Sequence, residues 1–161
     1  MKTVSIISII YGVLGVIWGT MLLAVMQVQR AIFENFPWPV ELNQFIDMPA
    51  MIAALHSLWS YLIPFVVVIA IIYMVSGILG LGDRPHAIMF GLLAAVFNII
   101  WYVAYMVLMQ IELIPAINTG EFFPEKLFQV LIFLGFLINA IFYCGYPVFL
   151  IIYLNKQRNK Q

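Results

Sequence analysis

The run VSIISIIYGVLGVIWGTMLLAVM, Val4 to Met26, decides how the chain is read. It carries no charge, and about 20 such residues in a helix cross a hydrocarbon core. Within it Ser5, Ser8, Gly12, Gly15 and Gly19 recur at intervals of three and four. That period puts all five on one side of a helix, and the line continues through Leu22, Met26 and Gln29. Small side chains in a row make a groove. In lipid, where water supplies no hydrophobic drive between helices, a groove lets a second backbone approach closely enough for dispersion and weak Cα–H contacts to act. The stripe is therefore expected to lie against protein, either another span or a neighbouring subunit.

Composition places the rest of the chain in the same solvent. Of 161 residues, 65% are hydrophobic and 9% charged, with a mean hydropathy of +1.09, too few polar side chains to cover a water-soluble domain. Four apolar runs joined by short links imply an all-α, polytopic four-helix membrane bundle in a single domain. The spans are expected near residues 4–27, 58–81, 87–109 and 127–154. The first run is longer than the core of a signal peptide, and no small-x-small cleavage site closes it, so it is expected to be retained. A formal charge of zero with no basic cluster argues against a nucleic-acid partner. The lone thiol of Cys144, in an apolar run, reads as a small buried hydrophobe.

Residues 30–50 form the longest link. Phe33, Phe36, Trp38 and Phe45 alternate there with Glu34, Glu41 and Asp47, a mixture suited to the headgroup region. Pro37 and Pro39 forbid regular helix around Trp38. The second run, Met51 to Leu81, exceeds one bilayer core, so its first turns, with His56, Ser57 and Ser60, are expected at the interface. Gly82-Asp83-Arg84-Pro85 is the tightest link and implies an antiparallel hairpin, with Asp83 expected to cap the third helix. That helix repeats the pattern of the first, with Ala87, Gly91, Ala94, Asn98 and Tyr105 on one face. On the fourth run Gly135, Asn139 and Phe142 keep the same spacing, and Gly145-Tyr146-Pro147 is expected to break the helix.

With the amino terminus cytoplasmic, Lys2, Arg84, Lys156, Arg158 and Lys160 fall inside and only Arg30 and Lys126 outside, which is the positive-inside bias. Both termini are then cytoplasmic, and the plasma (inner) membrane is expected. Glu34, Glu41, Asp47, Glu112, Glu121 and Glu125 would rim the outer side. Such a rim attracts cations, although a solvated face carries acids for no further reason.

Chemistry requires polar groups that converge, and no acidic or basic residue falls near the expected midplane. A proton-coupled pump, a voltage sensor or a Schiff-base pigment is thereby disfavoured. His56 and His86 fall at opposite interfaces, so neither a shared metal ion nor a haem with two histidine ligands suits them. A hydrolytic set of His56, Ser57, Ser60 and Glu112 lacks any nucleophile-elbow context. The intramembrane polar residues are Asn98 and Asn139, flanked by Tyr102, Tyr105, Tyr143 and Tyr146. Counted from the span ends, the two amides reach similar depth and are expected to meet as interhelical glue, or else to line a ligand site.

The reading that follows is a non-enzymatic membrane subunit. It packs through small-residue faces (Ser5, Ser8, Gly12, Gly15, Gly19, Gly91, Gly135) with itself or in a larger complex. Its outer interface holds Trp38, His56 and Glu112. Membrane lipid is the expected neighbour, a protein partner or second copy the expected associate, and no metal or named cofactor is implied. The competing reading is a small oligomeric transporter or channel with an acidic outer mouth.

Overall fold

In a computed structural model, which describes residues 2–33, 36, 48–113 and 125–158, four helices account for nearly everything. Helix α1 spans Lys2–Phe33, α2 Met48–Leu81, α3 His86–Leu108 and α4 Glu125–Arg158. The described residues are 96% helical with no strand among them, and four helices are long and apolar enough to cross a membrane. The chain is a polytopic four-helix membrane bundle. Helix is what lipid permits, since each backbone group must find its partner inside the segment.

Burial separates a central pair from two flanking helices. Within their most apolar windows α2 and α3 are 39% and 44% buried, against 17% for each of α1 and α4. Helix α1 packs mainly on α2, α2 on α3, and α3 on α4. Large apolar side chains such as Ile10, Phe65, Ile100 and Ile141 cover the outside, where lipid is the solvent.

The small-residue stripe of α1 faces α2. A Cβ placed on Gly12 would stand 2.5 Å from the Ala70 carbonyl oxygen, one on Gly15 2.8 Å from the Ala70 Cβ, and one on Gly19 2.7 Å from Val67 Cγ2. Helix α2 answers with its own glycines, Gly77 against the backbone of Ser5 and Ile9, and Gly80 against the Ser5 side chain. Close approach is therefore built from both sides of this antiparallel pair. The stripe is packed against α2 within the chain.

The turn into α3 departs from the expected cap. Asp83 adopts φ 51°, the left-handed region. Its N–H donates to the Gly80 carbonyl, and that of Arg84 donates to the Leu79 carbonyl at 2.9 Å. This is the Schellman pairing that closes a helix, so Asp83 ends α2 instead of starting α3. Pro85 stands at the N-cap of α3 and makes no side-chain cap bond.

Helix α3 presents Gly91 to α4, where an added Cβ would meet Leu154 Cδ1 at 2.7 Å and, on the α2 side, Ser76 Oγ at 2.9 Å. The facing seam of α4 is Phe136, Pro147, Leu150 and Leu154, all buried. Helix α4 runs unbroken through Gly145-Tyr146-Pro147, contrary to the expected break. A proline is tolerated within a membrane helix because neighbouring helices and local adjustment re-satisfy the freed carbonyl. Past α3, Met109–Leu113 forms a π-helical turn.

Candidate functional site

Polar side chains deep in the bundle gather around Asn98. At 1.5 Å per residue, Tyr11, Tyr73 and Asn98 lie roughly 12–18 Å from the ends of their helices nearest the α2–α3 turn, which is mid-depth in a core of about 30 Å. Asn98 is buried, and its amide nitrogen donates to the Tyr11 hydroxyl at 3.3 Å and, more weakly, to the Tyr143 carbonyl at 3.5 Å. Both bonds use the nitrogen, which leaves the amide oxygen as an acceptor. One carboxamide thus joins α1, α3 and α4.

Beside it stands Tyr73, which has no exposed surface. Its hydroxyl is buried and has no hydrogen-bond partner among the described residues. Asn98 lies close enough to interact with it, but not in hydrogen-bond geometry. Rings pack the surroundings: Tyr11 meets Tyr73 edge-on at 5.1 Å and Tyr146 at 4.9 Å. Ser8 and the Tyr146 hydroxyl share a hydrogen bond of 2.7 Å that ties α1 to α4.

A cavity of about 310 Å³ adjoins this cluster. Its aromatic walls are Tyr11, Trp18, Trp59, Tyr73, Trp101 and Tyr143, and Asn98 supplies an amide. Trp101 is fixed by its indole N–H, which donates to the Leu62 carbonyl at 3.0 Å. Leu14 and Trp18 on the cavity wall are 59% and 52% exposed, which places the opening on the lipid-facing flank of the bundle.

The expected partnership of the two asparagines does not form. Asn139 is exposed and makes no hydrogen bond among the described residues. The α3–α4 register explains why: Asn98 pairs with Tyr143 and Tyr102 with Phe136, so Asn139 stands about one turn from the level of Asn98. Tyr102 is buried and donates to the Phe136 carbonyl, while Tyr105 stacks on Trp101 at 5.8 Å. Gly135 has nothing within 4 Å of a Cβ placed on it, so it does not share the packing of Gly12 or Gly91.

The loop-end residues stay apart from this cluster. His56 is half-buried in a cleft between α1 and α2 that Arg30 and Phe33 also line. Ser60 Oγ donates to the Ser57 carbonyl, and no hydrogen bond among the described residues links His56 with Ser57, Ser60 or Glu112. No group of three or more metal-binding side chains occurs among the described residues. Trp38, Glu34, Glu41, Asp47 and Glu121 lie outside the described residues, as does the Glu125 side chain, and the acidic rim with them.

Sequence reasoning missed Tyr11 and Tyr73, although both place a hydroxyl inside an apolar run, where such a group needs a partner. Comparison with protein-family models, with curated proteins and with solved structures finds no match. The site therefore has to be read from its own geometry.

Proposed function

We propose that the protein is a non-enzymatic integral membrane subunit whose working form is a homo-oligomer joined through α4, in the plasma membrane with both termini cytoplasmic. The observation that carries this reading is Asn139, a carboxamide exposed at the middle of a membrane-spanning helix with no hydrogen-bond partner among the described residues. An amide in hydrocarbon seeks a hydrogen bond. A second copy offers the matching group, because a carboxamide is both donor and acceptor and a two-fold axis brings like residues face to face.

The strip around Asn139 suits that contact. Gly135, Asn139, Phe142 and Tyr146 follow one line along α4 at intervals of four, three and four. At Tyr146 the line is covered by α1, while Phe142 is 73% exposed and Gly135 has open space above it. A second copy would extend the covered line past Gly135, where close approach is free. The non-enzymatic part of the reading is supported by the loop end, where no hydrogen bond among the described residues joins His56, Ser57, Ser60 and Glu112 into one set.

Oligomeric state in mild detergent, measured by light scattering, tests the reading. The parent is expected to be a dimer or larger, and Asn139→Leu to shift it to monomer with unchanged helical content. A monomeric parent, or an Asn139→Leu variant that assembles as the parent does, would refute self-association through this strip.

A further inference from the structure

We infer that the cavity beside Asn98 is a binding site for a flat, lipophilic ring bearing a hydrogen-bonding oxygen. Size sets the first limit. An apolar cavity of about 150 Å³ holds a benzene, so about 310 Å³ takes a substituted ring and not a whole lipid. The walls set the second, since six aromatic side chains offer faces and edges to a ring, in the geometries that ring pairs prefer.

Polarity sets the third. A buried hydroxyl without a partner is a destabilising feature of a folded protein, and Tyr73 carries one while lining the cavity. Asn98 lines it too, with an amide oxygen that its two hydrogen bonds do not use. A small displacement of the packed rings brings the Tyr73 hydroxyl to the cavity, where it donates to an oxygen on the ligand ring, and where that oxygen is itself a hydroxyl it donates to the Asn98 oxygen. The orphaned Tyr73 hydroxyl gains a partner, and the spare acceptor of Asn98 is used with it.

Access follows from the wall. Leu14 and Trp18 lie on the lipid-facing side of α1, so the ligand enters sideways from the bilayer and must be soluble there. The recess is formed by α1, α2, α3 and Tyr143 of α4, and is independent of the exposed α4 strip around Asn139.

The test uses 4-bromophenol and bromobenzene, equal rings with and without the oxygen, the bromine quenching tryptophan emission at contact. Three of the four tryptophans, Trp18, Trp59 and Trp101, line the cavity, and Trp38→Phe removes the fourth. In micelles of that variant, 4-bromophenol is expected to quench saturably and to raise the melting temperature. Bromobenzene should bind about five- to hundredfold more weakly, the worth of two hydrogen bonds. Tyr73→Phe, which keeps the ring, should weaken 4-bromophenol by about two- to tenfold, the share of one hydrogen bond, and leave bromobenzene unchanged. Quenching that rises linearly without saturation, or equal affinity for the two probes, overturns the proposal, and so does a Tyr73→Phe variant that binds 4-bromophenol as the parent does. The two-probe comparison on the parent decides even if Tyr73→Phe folds poorly.

Discussion

Gly12→Ala adds a single methyl group to α1 at a point where the backbone of α2 leaves no room for it. The new Cβ would stand 2.5 Å from the Ala70 carbonyl oxygen and 2.8 Å from the Met74 nitrogen, both backbone atoms of α2. It would also stand 2.5 Å from Met74 Cγ, but that side chain can swing aside. The backbone cannot. Restoring an ordinary contact of about 3.4 Å parts the helices by about 0.9 Å at this turn. A gap of that width forfeits up to about half of each dispersion contact it opens. In lipid those contacts are the main force holding the pair together.

Overpacking of this kind costs about 1–3 kcal/mol, against which alanine regains up to about 1 kcal/mol of helix propensity. The net expectation is a loss of about 1–2 kcal/mol. Gly145→Ala is the matched comparison, because a Cβ there meets nothing within 4 Å. That variant should be neutral or gain up to about 1 kcal/mol. Unfolding from mild-detergent micelles by sodium dodecyl sulfate, followed by circular dichroism, reads both. Should Gly12→Ala unfold at or above the parent's midpoint, or Gly145→Ala lose as much as Gly12→Ala, the claim that α1 is seated by backbone approach fails.

At the α2–α3 turn, Asp83→Val should lose about 1–2 kcal/mol, since a β-branched residue resists φ 51°, whereas Asp83→Gly should be neutral or slightly stabilising. The same denaturation assay checks it, and equal stability of the two variants would remove the left-handed cap from the account. For orientation, single cysteines at Glu41 and Asn159, with Cys144 replaced, are expected to react with an impermeant thiol reagent from outside only at the first. Labelling at the second would reverse the topology drawn from the lysine and arginine count.

Much of the bundle was legible because its strongest signals are local. Span number follows from apolar run length, and the α1 stripe from a spacing that only a helix turns into a face. The Gly82-Asp83-Arg84-Pro85 link announces a hairpin by composition alone. What stayed hidden depends on phase and register. Helix α4 is apolar nearly all round, so no amphipathic contrast marks its buried side. Asn139 then looks as inward as Asn98, and only the pairing of Tyr102 with Phe136 reveals which turn faces α3. The Gly145-Tyr146-Pro147 expectation failed for a related reason, since proline's effect on a helix in water does not carry over to one supported by neighbours in lipid. Tyr11 and Tyr73 come from different helices, and nothing along the chain says that two hydroxyls far apart in sequence gather beside one asparagine.

The cavity and the uncovered strip of α4 have one origin in how α1 is held. On one side, glycines on both helices draw α1 against α2 until backbone meets backbone. On the other, Tyr11 and Tyr146 stand between α1 and α4 with ring centroids 4.9 Å apart, and the Ser8 hydrogen bond fixes that spacing. Small residues pull and large rings prop, so α1 leans on α2 and touches α4 near Ser8 and Tyr11. Beyond that point Gly15, Trp18 and Leu22 border open volume. In water such a cleft would fill or collapse under the hydrophobic effect, but in lipid it opens onto molecules as apolar as its own walls. A bundle in this solvent can therefore keep an aromatic recess with one amide in its wall at mid-depth, reached from the side.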